Sequence, residues 1–550
     1  MRSLATISLA LAGAALAFAQ APSITELGPA ASYIPTGFPG AGIAQGSYFY
    51  IKGNNLGPDA GVVFSGPAAY TIGVDLGGTR VRVTIGSTIL DAFPYYASAT
   101  QVNVILPSVT PLGPGTVTVF YNGQQAVFPI TVVRAAYGIF TLNSAGTGPA
   151  VVTNAVTNQV ITAINALHPG DRGTLWGTGL GAVNFADNQP AQFQRLESGV
   201  SLFIGGQQAT VEYAGRTPGL SGLDQINFIV PAGVSGCGVP IVVRIANRPS
   251  NFATIAVAAS GSVCSDADAL SAADWTAVQA GPLSVGAISL NRFITNRTEG
   301  EQIIETRSDA LTGAFTRSTF DVLLRGKPAG ASIGACMVSL YRGSSEPAGA
   351  PPARLDAGTR LTLTGLGRAK DALKTNGIYT VVGIGEAQQG QAGGVPTVFG
   401  VPGPFLDAGN YTLSGPGGAD VGAFTASVAL PAALTWTNQA AITSVARSAD
   451  LRVAWSGTAA SELVLITGST FNEGASVGGS FTCYEAASKG EFTIPAYVLS
   501  ALPASSATAG VPQAFLAVGN YAVASRFNAT GLNYGLFTYT LAQKSVLNFE

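Results

Sequence analysis

Short runs of β-branched and aromatic residues recur along the chain, each bounded by Gly, Pro or Asn, which is the pattern of strands joined by tight turns. Tyr48–Lys52, Arg80–Ile85, Gln101–Leu106, Thr116–Phe120 and Ala126–Val133 are predicted strands of a first module. One run occurs twice. Gln101-Val102-Asn103-Val104-Ile105-Leu106-Pro107 returns as Gln225-Ile226-Asn227-Phe228-Ile229-Val230-Pro231, a displacement of 124 residues (101 to 225). Gly46–Gly57 aligns with Gly170–Gly181 and Val117–Val119 with Ile241–Val243 at the same displacement, so three strands repeat in register. The pattern predicts an all-β chain of tandem immunoglobulin-like β-sandwich modules in series. Within Tyr48–Ile51 the alternation sets Tyr48 and Tyr50 on one face and Phe49 and Ile51 on the other, so one pair is expected inside and the other exposed.

A fainter similarity links Phe405-Leu406-Asp407-Ala408-Gly409-Asn410-Tyr411 to Phe515–Tyr521, and Val322-Leu323-Leu324 to Val464-Leu465-Ile466. The displacements differ, which places an inserted Gly, Gln and Pro-rich segment at Arg368–Gly403. The expected organisation is a signal peptide at 1–19, modules at 20–135 and 136–266, and two further β-sandwich modules at 267–430 and 431–550. Helix is confined to short turns near Asp266–Trp275 and Ala369–Lys374.

Composition narrows the function. The 550 residues carry only 10% charged side chains and a net charge of −2, with no basic block to attract nucleic acid or an anionic membrane. Arg2, the apolar run Leu4–Leu16 and Ala17-Phe18-Ala19 form a signal peptide, so export to the cell surface, the extracellular space or the periplasm is expected, with no membrane insertion after cleavage. Four cysteines in an exported chain favour two disulfides, with three pairings possible; a Cys237–Cys264 bridge would close the last strands of the second module and leave Cys336 with Cys483 to join neighbouring modules.

The Gln-(Val/Ile)-Asn-x-x-(Leu/Val)-Pro run, Gly138-Ile139-Phe140-Thr141, the Gly177–Gly181 turn and Cys264-Ser265-Asp266 together resemble the Solibacter-type domain of secreted acidobacterial proteins over about residues 28–266. Tyr137 stands where that family usually has proline. The resemblance implies an IPT/TIG immunoglobulin-like fold and no catalytic residues.

Candidate chemistry is thin. Gly330-Ala331-Ser332-Ile333-Gly334 and Gly474-Ala475-Ser476-Val477-Gly478 match the hydrolase pattern G-x-S-x-G, but β-type sequence follows each serine and the single histidine, His168, precedes both. A glycine-rich hairpin is the expected role. His168 lies in a turn with Asp171. Gly177–Gly181 lacks the following helix that a phosphate loop needs. Asp266, Asp268 and Asp274 lack calcium-loop spacing and fit a helix cap. No metal or cofactor is expected. Tyr48, Tyr50, Tyr95, Tyr96 and Trp176 are the candidate ligand contacts, since exposed rings stack on sugars and partner surfaces. The reading is a non-catalytic surface or extracellular binding and scaffold protein of adhesion type, with a polysaccharide or an envelope or protein partner. The alternatives are a carbohydrate-active hydrolase and a self-assembling envelope component.

Overall fold

The computed structural model describes residues 20–66, 70–196, 199–266, 269–299, 302–325, 332–342, 352–388, 403–508, 511–522 and 525–550. The expected signal peptide and most of the core of the expected insertion, 389–402, lie outside them. The chain is all-β, built of immunoglobulin-like sandwich modules in series.

In the first module alternating apolar positions decide which face each strand turns inward. Val81 and Val83 on Thr79–Ile85, Val102 and Val104 on Gln101–Ile105, and Val117 and Val119 on Gly113–Tyr121 meet Phe49 and Ile51 in one core. Branched side chains suit this pleated packing, and each buried Val or Ile contributes roughly 1.5–3 kcal/mol. One sheet runs Ser23–Pro29, Tyr48–Asn54, Gln101–Ile105, Phe93–Ala97, Val62–Val63; the other runs Ile43–Ala44, Gln124–Val133, Gly113–Tyr121, Thr79–Ile85, Asp75–Leu76. The chain begins in the first sheet and then crosses over, so that Ile43–Ala44 pairs parallel with Val132 and Val133 of the last strand.

The second module repeats these ladders in the same register. Tyr48 faces Ile105 and Lys52 faces Gln101; 124 residues on, Arg172 faces Ile229 and Trp176 faces Gln225. The copies differ in one strand. Thr88–Asp91 and Phe93–Ala97 are separate in the first, whereas Gln207–Arg216 is continuous in the second and bends at a bulge between Val211 and Tyr213, passing from one sheet to the other. The hairpin that turns between Ala97 and Val102 is also longer in the second copy, where residues 217–223 separate Arg216 from Asp224. Cys237 and Cys264 are bonded.

After the capped helix Ala272–Ala280, the chain enters one sheet of 14 strands. Its centre is the long hairpin Leu283–Glu299 with Gln302–Ser318. Tyr534–Val546 lies parallel beside the first arm and antiparallel beside Ala514–Tyr521. Two cores result, and each draws on both sides of residue 430. Phe537, Tyr539 and Leu541 pack with Leu290, Leu311, Leu361 and Leu413, while Cys336 and Val338 pack with Val464, Phe481 and Leu516.

Several expectations for this half change. Arg368–Thr375 and Ile378–Gln388 are paired strands, so Ala369–Lys374 is not a helical turn and the first part of the expected insertion is regular sheet. Val322-Leu323-Leu324 lies in the helix Phe320–Arg325 but Val464-Leu465-Ile466 in the strand Leu463–Asn472, so the fainter similarity does not mark equivalent elements. Cys336 and Cys483 are bonded, as directly opposed residues of adjacent strands in one sheet rather than across two separate modules.

Candidate functional site at the joint of the first two modules

The two bulkiest departures from the repeat, the hairpin 217–223 and the loop around Asp187, both meet the first module. Arg216 ends the bent strand and faces Asp224 across the hairpin. Both are buried, at 1% and 0% side-chain exposure, with Nη1 and Oδ1 3.3 Å apart. Arg216 donates from Nη1 to the Gly46 carbonyl of the first module (2.9 Å) and from Nη2 to the Gly181 carbonyl (3.2 Å). Gly46 has φ +70, and a Cβ there would lie 2.8 Å from Arg216 Nη2 and 2.7 Å from Ser108 Oγ, so the guanidinium's approach requires glycine.

Asp187 accepts from Ser108 N (2.6 Å) and Ser108 Oγ (2.8 Å), and the same hydroxyl oxygen accepts from Val183 N (3.0 Å). Asp224 accepts from Leu180 N at 2.8 Å, which gives the Gly177–Gly181 turn a structural partner in place of a phosphate. Burial pushes the carboxyls of Asp187 and Asp224 above the usual range; the Ser108 hydrogen bonds to Asp187 and Arg216 beside Asp224 pull the other way.

Tyr48, with Tyr95 packed on it, forms the floor of this joint. Tyr48 donates from its backbone to Thr178 Oγ1 (3.0 Å) and from its hydroxyl to the Ser221 carbonyl, and its ring packs on Tyr95 at 4.7 Å. Tyr50 is buried, with its hydroxyl on Glu26 Oε1 (2.5 Å), its ring stacked on Tyr33 at 5.3 Å and Lys52 Nζ 4.8 Å from the ring centre. Burial pushes the Tyr48, Tyr50 and Tyr95 hydroxyls far above their ordinary value. Phe49 and Ile51 face the sandwich core, as alternation requires, but the opposite face is not open to solvent. The second module covers Tyr48, and Tyr33 covers Tyr50. Tyr96 is partly buried against Gly61, and Trp176 stands apart, donating to Thr153 Oγ1 at 3.0 Å within the second module.

At the outer rim, loops of the two modules run side by side. Ile72 N donates to the Asn188 carbonyl (2.8 Å) and Asn188 Nδ2 to the Ile72 carbonyl (3.2 Å). Gln189 Nε2 reaches Thr71 Oγ1 (2.8 Å), and the Tyr70 hydroxyl donates to the Gly219 carbonyl (3.0 Å) while accepting from Ser221 N (3.1 Å). Above them Phe193 is 70% exposed and stacked on Tyr213 at 5.0 Å. Arg195 also lies over Tyr213, at 5.4 Å, and the Tyr213 hydroxyl donates to the Arg216 carbonyl at 2.7 Å. The exposed ring is therefore fixed through one tyrosine to the backbone of Arg216, the residue whose side chain forms the buried ion pair. Phe193 was not among the sequence candidates, although a lone aromatic in Gln189-Pro190-Ala191-Gln192-Phe193-Gln194 is a readable signal.

The remaining candidates serve the fold. His168 Nδ1 is 3.0 Å from Asp171 Oδ2 and its Nε2 is 2.6 Å from the Gly261 carbonyl, which clamps the turn to the end of the module. Ser476 has φ 51 in the hairpin between Leu463–Asn472 and Val477–Ala486, and Gly334 leads into the strand Ala335–Arg342; neither serine precedes a helix. Ser271 caps the helix Ala272–Ala280 in a capping box with Asp274, Asp266 accepts from Cys237 N (2.9 Å), and Asp268 lies outside the described residues. Asp309 is bound by Arg292 at 2.7 and 2.8 Å and by the backbone of Phe405 and Leu406. Among the described residues no cluster of three or more His, Cys, Asp or Glu could hold a metal ion, and no helix is long and apolar enough to cross a membrane.

No family model and no curated protein matches the chain. Among solved structures, SGBP-B from a complex xyloglucan utilization locus in Bacteroides uniformis is 11% identical over 91% of this chain and 94% of that one, with a TM-score of 0.16. SGBP-B of the Bacteroides ovatus mixed-linkage glucan utilization locus, in complex with a mixed-linkage heptasaccharide, is 10% identical over 76% and 81%, with a TM-score of 0.14. The ICAM-5 D1–D4 ectodomain fragment is 11% identical over 93% and 96%, also at 0.14. Superpositions this loose equate no residue of this chain with a residue of theirs.

Proposed function

We propose that this chain is an exported, non-catalytic binding and scaffold protein of the cell surface or extracellular space, whose locked sandwich modules present a partner-contacting surface at their first joint. The observation that carries this reading is Phe193, a solvent-facing ring stacked on Tyr213, whose hydroxyl is anchored to the backbone carbonyl of the buried Arg216. A ring fixed in this way meets a ligand with little rotamer entropy left to lose. The partner class that fits is a polysaccharide, because a planar aromatic face stacks on the apolar face of a sugar ring and the amides and hydroxyls of the adjoining rim, with the Arg195 guanidinium beside the ring, can hydrogen-bond its hydroxyls. Together with about residues 28–266 as a Solibacter-type module pair, this makes the N-terminal half the binding portion and the C-terminal sheet its support.

The test is retention of the chain from Gln20 on immobilised polysaccharides and envelope fractions, with released sugar assayed in the same wells. Retention without release is expected, and Phe193→Ala should weaken it roughly 3- to 10-fold while leaving the melting midpoint unchanged. Sugar release would refute the non-catalytic reading. Retention on envelope fractions alone, insensitive to Phe193→Ala, would refute both the polysaccharide and the site.

A further inference from the structure

The helix Ala272–Ala280 bolts the second module to the C-terminal sheet. On one side Asp274 accepts from Arg526 Nη2 at 2.8 Å, and on the other Trp275 packs into the core of the second module. Trp275 and Thr254 are 4% and 3% exposed, yet the indole Nε1–H and the threonine Oγ1 have no protein partner. The two residues line one cavity of about 20 Å³, together with Ile161, Cys237 and Ala256 of the module and Leu323 of the helix Phe320–Arg325.

We infer that this cavity is a built site for one ordered water molecule, bridging Trp275 Nε1–H and Thr254 Oγ1 and sealing the second module to the element that follows it. Size, polarity and charge each select that occupant. The space open to the centre of a water-sized sphere is about 20 Å³, so a water fits without displacing any side chain. The indole can only donate and the hydroxyl can do either, so a water that accepts from the first and pairs with the second satisfies both. No charged side chain lines the cavity, which disfavours an ion. A tryptophan buried with its N–H unpaired is unfavourable, and the water removes that cost where no protein acceptor reaches. The site thus explains how an indole from outside the repeat is accommodated against the last strand of the module, Ala253–Val257.

The test uses the whole mature chain. Thr254→Val keeps the side chain's shape and removes the hydroxyl. If a water is held, the variant strips it of a partner and the unfolding midpoint drops, by about 2–4 °C. A dry cavity predicts the opposite sign, because deleting an unpaired buried hydroxyl is neutral or stabilising. Crystals of the wild type should show a density peak within hydrogen-bond distance of both atoms, and Thr254→Ser should retain it. An unchanged or raised midpoint for Thr254→Val, or a cavity without density in the wild type, overturns the inference.

Discussion

Arg216 sits between two buried carboxylates, so its value to the protein lies in what its removal would expose. Exchanging a buried ion pair for apolar groups can be neutral, but deleting one partner strands the other in low dielectric and costs about 3–5 kcal/mol. Arg216→Met is expected to lose stability of that size in the melting of the N-terminal half, and Arg216→Met with Asp224→Asn to recover part of it. The deficit should shrink as pH falls. Asp187 and Asp224 already have raised folded-state pKa values, and without the guanidinium they rise further, so the folded state binds protons that the unfolded state does not and stability increases toward acid. A deficit that grows on acidification would refute the assignment. His168 makes a second residue-level case, with one histidine in the chain and so one imidazole to follow. Its hydrogen bond with Asp171, and then the Gly261 carbonyl, raise its pKa above the ordinary value of about 6.5. The resulting stabilisation is complete below about 6.5 and is lost as pH rises through the folded value. Its NMR titration should show an elevated midpoint that falls in Asp171→Asn; a midpoint at or below 6.5 contradicts the clamp.

At the scale of elements, the two disulfides do unequal work. Cys237–Cys264 closes 27 residues of sequence and Cys336–Cys483 closes 147, which by chain entropy gives about 3.5 and about 5 kcal/mol. The second also tethers Ala335–Arg342, the end strand of the large sheet, whose one ladder partner among the described residues is Val477–Ala486. Replacing Cys336 and Cys483 by Ser should therefore cost about 1.5 kcal/mol more in denaturant titration than replacing Cys237 and Cys264, and should open residues 335–342 to proteolysis first. Equal losses, or cleavage elsewhere, would show that the strand does not depend on the tether. The sequence pattern reached some of this and not the rest, for identifiable reasons. The repeat was readable because period-two patterning and a constant displacement of 124 both follow from local strand geometry, and the 48/105 and 172/229 ladders retain it. Tyr48 and Tyr50 were readable as one face, but alternation says which face a residue is on, not whether another module covers that face. Phe193, Asp187 and the 217–223 hairpin come together through loops whose residues are not repeated in the first copy, so no repeat could announce them.

The whole molecule departs furthest from beads on a string in its second half, where strands distant in sequence complete each other's cores. Tyr534–Val546 runs parallel beside Leu283–Glu299 and sends Phe537, Tyr539 and Leu541 into the core formed mainly by residues 288–430. Parallel pairing of this kind needs a long excursion of the chain before it can close, and local similarity near residues 405 and 515 carries no trace of it. A fragment ending at Leu430 therefore keeps the hairpin 283–318 but loses the neighbour along one whole side of it, together with Phe527, Phe537, Tyr539 and Leu541 of the core. Removing a buried Phe or Leu side chain costs about 2–5 kcal/mol each, which is comparable to the entire net stability of a domain. A fragment spanning 267–430 is expected to lack a cooperative thermal transition and to bind a hydrophobic dye, whereas 267–550 should melt cooperatively. The fragment 20–266 should also melt cooperatively, since most of both its cores lies within it; among the described residues, the buried Trp275, Val278, Leu283 and Tyr534 and the half-buried Leu270, Val285, Phe320, Leu323 and Leu536 are contributed from beyond. If 267–430 instead unfolds in a sharp transition with native-like near-ultraviolet circular dichroism, the interleaved sheet is not what holds the second half together, and a boundary near Leu430 would separate two independently folded modules.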